Sequence, residues 1–111
     1  MPQDLEQRAR DALDYVTRHG VEVTRKEFGV HLDYGLKHSV FDQAALDQAQ
    51  TTFHQNKARD ALDYVTRHGV EVTRKEFGVH LDYGLKHSVF DQAALDQAQR
   101  AFEALHPKTK K

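Results

Sequence analysis

Residues 9–50 read ARDALDYVTRHGVEVTRKEFGVHLDYGLKHSVFDQAALDQAQ, and residues 58–99 repeat this stretch letter for letter. Each copy is 42 residues long, and the second is offset from the first by 49 residues. Natural duplicates diverge, because most surface positions tolerate substitution. Perfect identity therefore indicates either a very recent duplication or a designed gene.

The junction between the copies helps to decide between these origins. Residues 51–57 read TTFHQNK and match neither the start nor the end of the chain, apart from Phe53 at the position equivalent to Phe102. A plain recombinational duplication leaves a junction made from the parent's own ends. The insert therefore favours an engineered chain, with a first repeat unit over 1–50, a linker over 51–57 and a second unit over 58–111. Removing one copy and the insert leaves a parent of 62 residues.

The spacing of apolar residues predicts three helices in each copy, and thus an all-α fold of about six helices. In the first copy, helix one is expected over about 4–19, with Gly20 as its left-handed C-terminal cap. Helix two is predicted to begin at Thr24, because Thr24 and Glu27 form a capping box, and to end at Gly35.

The third helix is predicted to begin at a Ser39 cap, and Pro107 is expected to end its second copy. The 51–57 insert contains no glycine or proline, so the chain is able to continue as one helix from Ser39 to His68. The apolar stripes on either side of the insert are offset by about 140° around an ideal helix. Such a helix either buries a different face in each half or bends near the insert.

A pair of β-strands is the alternative prediction for the region of the second helix. Apolar residues between 21 and 34 partly alternate, which is also the pattern of a half-buried strand. A hairpin here needs a tight turn at Arg25 and Lys26, and neither readily adopts the positive φ of the favoured turns. Gly29 costs a helix about 1 kcal/mol. The alternative fold is therefore α+β, with one short hairpin in each copy.

The composition excludes several classes of protein. With 30% charged and 39% hydrophobic residues, the chain is typical of a globular protein rather than a disordered one. No apolar run reaches the roughly 18 residues of a membrane span, and residues 1–5 have neither the basic nor the hydrophobic region expected of a secretory signal. There is no cysteine, which excludes disulfides and thiolate metal sites. The expected setting is cytoplasmic for the parent and recombinant for the tandem chain.

A parent of this size is marginally stable alone, because it buries only about 60% of its unfolded surface. Small domains commonly gain stability by pairing in a two-fold homodimer. Linking two copies makes that association intramolecular, at an effective concentration in the millimolar range. The sequence thus predicts a single-chain version of a helical homodimerisation module. Its role is expected to be structural, with the second copy as the partner of the first and the chain monomeric as a pseudo-dimer.

Three short helices offer little apolar surface for two independent cores. We therefore expect one shared, pseudo-two-fold core in which Phe53 is buried and the halves interlock; linking an intertwined dimer also permits a knotted chain. The predicted core and interface residues are Leu13, Val16, Phe28, Leu32, Leu36, Phe41, Leu46, Phe53, Leu62, Val65, Phe77, Leu81, Leu85, Phe90, Leu95 and Phe102.

The sequence carries no pattern specific to catalysis. The eight histidines include no metal-binding motif, and neither a phosphate-binding glycine loop nor a nucleophile elbow is present. We therefore predict no enzyme activity, no cofactor and no metal.

The alternative function is DNA binding. The second and third helices loosely match a helix-turn-helix around Gly35, and a tandem pair is similar to a two-fold repressor. However, each copy carries five basic and seven acidic residues, and this excess of negative charge opposes contact with phosphates. The DNA contacts under this alternative are Arg25, Lys26, Lys37, Gln43, Arg74, Lys75, Lys86 and Gln92.

Overall fold

The structure is a computed structural model that describes residues 2–106, and within this range the chain is all-α with no strand. Its helices are α1 (Pro2–His19), α2 (Val21–Lys37), α3 (Gln43–His68), α4 (Val70–Lys86) and α5 (Gln92–Leu105). The all-α prediction is confirmed, and the hairpin alternative is wrong because the alternating stretch lies within α2. Pro107 lies outside the described residues.

The described chain has five helices, whereas the sequence predicted about six. The difference lies in α3, which contains the third helix of copy one, the junction and the first helix of copy two. The insert continues the helix because it contains neither glycine nor proline, the residues that most disfavour a helix interior. The helix begins at Gln43, four residues after the predicted Ser39.

The chain divides into two compact units, and the division falls between His54 and Gln55, inside the insert. Unit 1 contains α1, α2 and the first part of α3; unit 2 contains the rest of α3, then α4 and α5. The helix pairs α1–α2 and α3–α4 pack in similar ways, as the sequence repeat implies.

Each unit has a cluster of buried apolar residues. In unit 1 the cluster is Ala9, Ala12, Val16, Leu32, Phe41, Leu46 and Ala49, and in unit 2 it is Ala58, Ala61, Val65, Leu81, Phe90, Leu95 and Ala98. Half-buried residues pack against these clusters, among them Leu13, Phe28 and Leu36 with their copies Leu62, Phe77 and Leu85. The predicted core list left out the buried alanines, although helical spacing places them on the apolar stripes of their helices. Their small side chains allow the helices to approach closely.

Phe53 is half-buried rather than fully buried. Its ring lies against the backbone at Gly20, where an added Cβ would come within 2.9 Å of Cε2. Phe102 lies against Gly69 of unit 2 in the same way, and a Cβ added there would come within 2.8 Å of its Cε2. The insert therefore supplies unit 1 with the aromatic contact that the end of the chain supplies to unit 2. A single shared core stays a prediction.

The start of α2 differs from the sequence prediction. Gly20 has φ 90° and ψ 157°, so the chain turns at one residue and the new helix begins at Val21, not at Thr24. Instead of forming a capping box, Thr24 is fully buried and its hydroxyl donates a hydrogen bond of 2.8 Å to the carbonyl of Gly20. The Val21 N–H donates to Oε1 of Gln50 at 2.8 Å. A side chain of α3 thus caps α2.

The end of α2 also differs. Gly35 is buried inside the helix, and its missing side chain makes room for the ring of Phe41. The helix ends at Lys37, and Ser39 adopts the left-handed conformation with φ 58° while the Val40 N–H donates to the Gly35 carbonyl at 2.9 Å. This geometry is a Schellman motif with serine in the position that usually holds glycine.

Ser39 therefore ends α2 and does not cap α3. The cap is Asp42, whose Oδ1 accepts a hydrogen bond from the Ala45 N–H at 2.9 Å. Asp91 does the same for α5 by accepting from Ala94 at 2.9 Å. The negative charges of these carboxylates also interact favourably with the partial positive charge at the N-terminal ends of the two helices.

Candidate functional site

A cleft of about 330 Å³ lies between α1 and α2 in unit 1. We call it the α1–α2 cleft; its lining consists of Arg8, Asp11, Ala12, Tyr15, Phe28 and His31. Tyr15 and Phe28 pack edge to face, with ring centroids 5.0 Å apart and ring planes at 70°. The cleft therefore combines an aromatic wall with side chains of both charges.

A kink in α2 forms part of this cleft. Phe28 has φ −134° and ψ 27°, which are not helical values, so the helix changes course where this ring enters the lining. The equivalent Phe77 of α4 has φ −134° and ψ 29°. Because the same sequence makes the same kink in both units, the kink is a property of the repeat.

Unit 2 contains an equivalent but smaller cleft of about 160 Å³, which we call the α3–α4 cleft. It is lined by Lys57, Asp60, Ala61, Tyr64, Phe77 and His80. Lys57 comes from the insert and replaces the equivalent Arg8, which is the one change of residue type between the two linings. In this unit the Tyr64 hydroxyl donates to Glu76 at 3.4 Å.

His31 lines the α1–α2 cleft with a half-buried ring. Its ring centroid lies 6.3 Å from that of Phe28, and Nδ1 is buried with no hydrogen-bond partner among the described residues. Since less than 1 Å² of Nδ1 is exposed, a molecule in the cleft reaches the ring and not this nitrogen. His31 therefore contributes an aromatic surface to the cleft.

The residues predicted to contact DNA are all exposed, as surface charges commonly are. Two of the basic side chains already pair with acidic ones: Arg25 with Asp33 at 3.1 Å, and Arg74 with Asp82 at 3.3 Å. The side-chain amide of Gln43, the first residue of α3, donates to Asp47 at 3.0 Å. These contacts place carboxylates beside the groups that DNA phosphates or bases would have to approach.

No group of three or more histidine, aspartate or glutamate side chains within residues 2–106 is arranged to hold a metal ion. Over the same range, no helix is both long enough and apolar enough to cross a membrane. Comparisons with protein-family models, curated proteins and solved structures gave no match for this chain.

Proposed function

We propose that the protein is an engineered single-chain tandem of a small helical homodimerisation module, with a structural, protein-interaction role. The observation that carries the proposal is the contact of Phe53 with Gly20, which reproduces the contact of Phe102 with Gly69. Apart from Phe53, the seven residues of the insert match neither end of the chain, and Phe53 supplies the aromatic ring that packs against Gly20. The unbroken α3 supports the same interpretation, because the insert preserves helix across the junction.

The polar contacts of the junction give a second line of support. Gln50 and Gln99 occupy equivalent positions, and each accepts a hydrogen bond of 2.8 Å from the first N–H of the preceding helix, Val21 of α2 and Val70 of α4. The Gln50 side chain also contacts His54 at 3.0 Å, while Gln99 contacts Glu103 at 3.0 Å. The insert therefore supplies a different polar partner for the same capping glutamine.

The oligomeric state of the parent tests this proposal. A chain consisting of residues 1–50 followed directly by 100–111 restores the 62-residue parent. We expect sedimentation equilibrium to show a homodimer with a mass close to that of the tandem chain, and the tandem chain itself to be a monomer. A parent that stays folded and monomeric at high micromolar concentration would contradict the proposal.

DNA binding remains the second candidate from the sequence, and a gel-shift titration separates the two. That candidate requires a shift of duplex DNA at low salt that weakens steeply as salt rises, because phosphate contacts release counterions. It also requires the shift to be lost in the double variant Gln43→Ala, Gln92→Ala. Our proposal expects no shift of random duplex DNA by micromolar protein.

A further inference from the structure

Arg8, Asp11 and Tyr15 follow one another along the side of α1 that lines the α1–α2 cleft. Arg8 and Asp11 are three residues apart, a spacing that places two side chains next to each other on a helix. Tyr15 lies one further turn along, about 6 Å from Asp11 in axial rise. The lining thus presents a cation and an anion side by side, and an aromatic ring one turn away.

The floor of the cleft is small and apolar. Ala12 lies between the charged pair and Tyr15, is only 2% exposed and contributes no more than a methyl group. Phe28 and His31 of α2 add two aromatic rings to the lining, with ring planes 30° apart. A flat ring that enters here finds aromatic surface on both helices, which favours edge-to-face and offset-stacked packing.

From this arrangement we propose that the α1–α2 cleft binds a small aromatic zwitterion, the class to which free aromatic amino acids belong. The ligand carboxylate pairs with the Arg8 guanidinium, which forms two parallel hydrogen bonds to a carboxylate. The ligand ammonium group pairs with Asp11, whose Oδ1 already accepts from Gln7 at 2.9 Å. Tyr15 and Phe28 contact each other, with ring centroids 5.0 Å apart, so the ligand ring packs against the side of this aromatic pair that borders the cleft.

The two clefts of the chain differ in their capacity for such a ligand. A volume of about 330 Å³ lies at the lower end of the range of small-molecule sites, whereas about 160 Å³ falls below it. Arg8 also offers a planar fork where Lys57 of the smaller cleft offers a single ammonium group. We therefore expect one site per chain, with a Kd in the millimolar range for a ligand of about a dozen heavy atoms.

Titration of the full chain with L-phenylalanine, followed by NMR chemical shifts, tests the proposal. We expect saturable shifts at Tyr15 and Phe28 with one site per chain. Benzylamine lacks the carboxylate and 3-phenylpropionate lacks the ammonium group, so each should bind at least about fivefold more weakly. Arg8→Gln and Asp11→Asn should each weaken L-phenylalanine binding by a similar factor, and both positions are exposed, so the fold is retained.

The second unit supplies the matched control. The double variant Lys57→Gln, Asp60→Asn makes the same chemical changes in the smaller cleft and should leave the Kd unchanged. Three results would overturn the proposal: no saturation at about ten times the expected Kd, equal affinity for benzylamine and L-phenylalanine, or equal loss of binding in the control variant and in Asp11→Asn. Melting curves of each variant confirm that it is folded at the temperature of the titration.

Discussion

Gly29 and Gly35 lie six residues apart in α2, and their surroundings are different. A Cβ at Gly35 would overlap the ring of Phe41, which packs directly on the helix backbone. A Cβ at Gly29 would meet the Arg25 side chain at 3.5 Å, an ordinary van der Waals distance. The first glycine is required by packing, whereas the second costs helix stability without an evident contact in return.

Alanine substitution should therefore have opposite effects at these two positions. Gly35→Ala should lower the free energy of unfolding by about 1–3 kcal/mol, because the ring of Phe41 has to move. Gly29→Ala should raise it by about 0.5–1 kcal/mol, since alanine restricts the unfolded chain and favours a helix. Urea unfolding followed by circular dichroism measures both changes. Equal effects of the two substitutions would show that contact with Phe41 does not determine the outcome.

At the scale of helices, the boundaries depend on contacts that a local sequence pattern does not contain. Gly20 was predicted to end a helix, and it does, but Val21 starts the next helix because Gln50, 29 residues away, caps it. The closing motif of α2 uses Ser39 at φ 58°, a conformation that serine adopts infrequently. Such a motif is rarely predicted without a glycine or an asparagine at that position.

The left-handed serine gives the second prediction. Ser39→Gly should raise the free energy of unfolding by about 0.5–1 kcal/mol, because glycine adopts positive φ without the steric cost of a Cβ. Ser39→Ala retains the Cβ and should bring no such gain, which makes it the control. The equivalent pair of substitutions at Ser88, also at φ 58°, should behave in the same way. Thermal denaturation is sufficient, and equal melting temperatures for the glycine and alanine variants would contradict the argument.

The glutamine cap gives the third prediction. Gln50→Ala leaves the Val21 N–H without its side-chain acceptor and should cost about 1 kcal/mol of stability. Gln48→Ala changes an exposed glutamine on the same helix and should have little effect. Amide hydrogen exchange at the start of α2 should accelerate in the first variant alone. Unchanged exchange at Val21 in the Gln50→Ala variant would rule out the cap.

The periodicity of apolar residues predicted the helical class well, and the composition of the insert left open a helix through the junction. The clefts were not predicted, because their linings combine α1 with α2 and α3 with α4 at spacings that match no motif. The signals were present in Tyr15, Phe28 and His31, but each also fits an ordinary amphipathic helix. Phe28 also lies at a kink in α2, a backbone feature that hydrophobic periodicity does not predict.

For the whole molecule, the shared-core prediction is tested by unfolding. One cooperative transition is expected, and Phe53→Ala should lower its free energy by about 2 kcal/mol, somewhat less than a fully buried phenylalanine because the ring is half-exposed. Phe102→Ala removes the equivalent ring from unit 2 and should have a similar effect on the same transition. Two separate transitions, each sensitive to only one of these substitutions, would show two independently folding units.

The unbroken course of α3 gives the junction a property that a flexible linker lacks. Each residue of an α-helix adds about 1.5 Å of length and about 100° of rotation. One alanine inserted after His54 therefore turns every following atom of the helix by a fixed step, while seven restore the angular phase to within about 20° and add length alone. The number of residues in the insert thus determines the helix face on which each later residue of α3 lies, as well as the length of the helix.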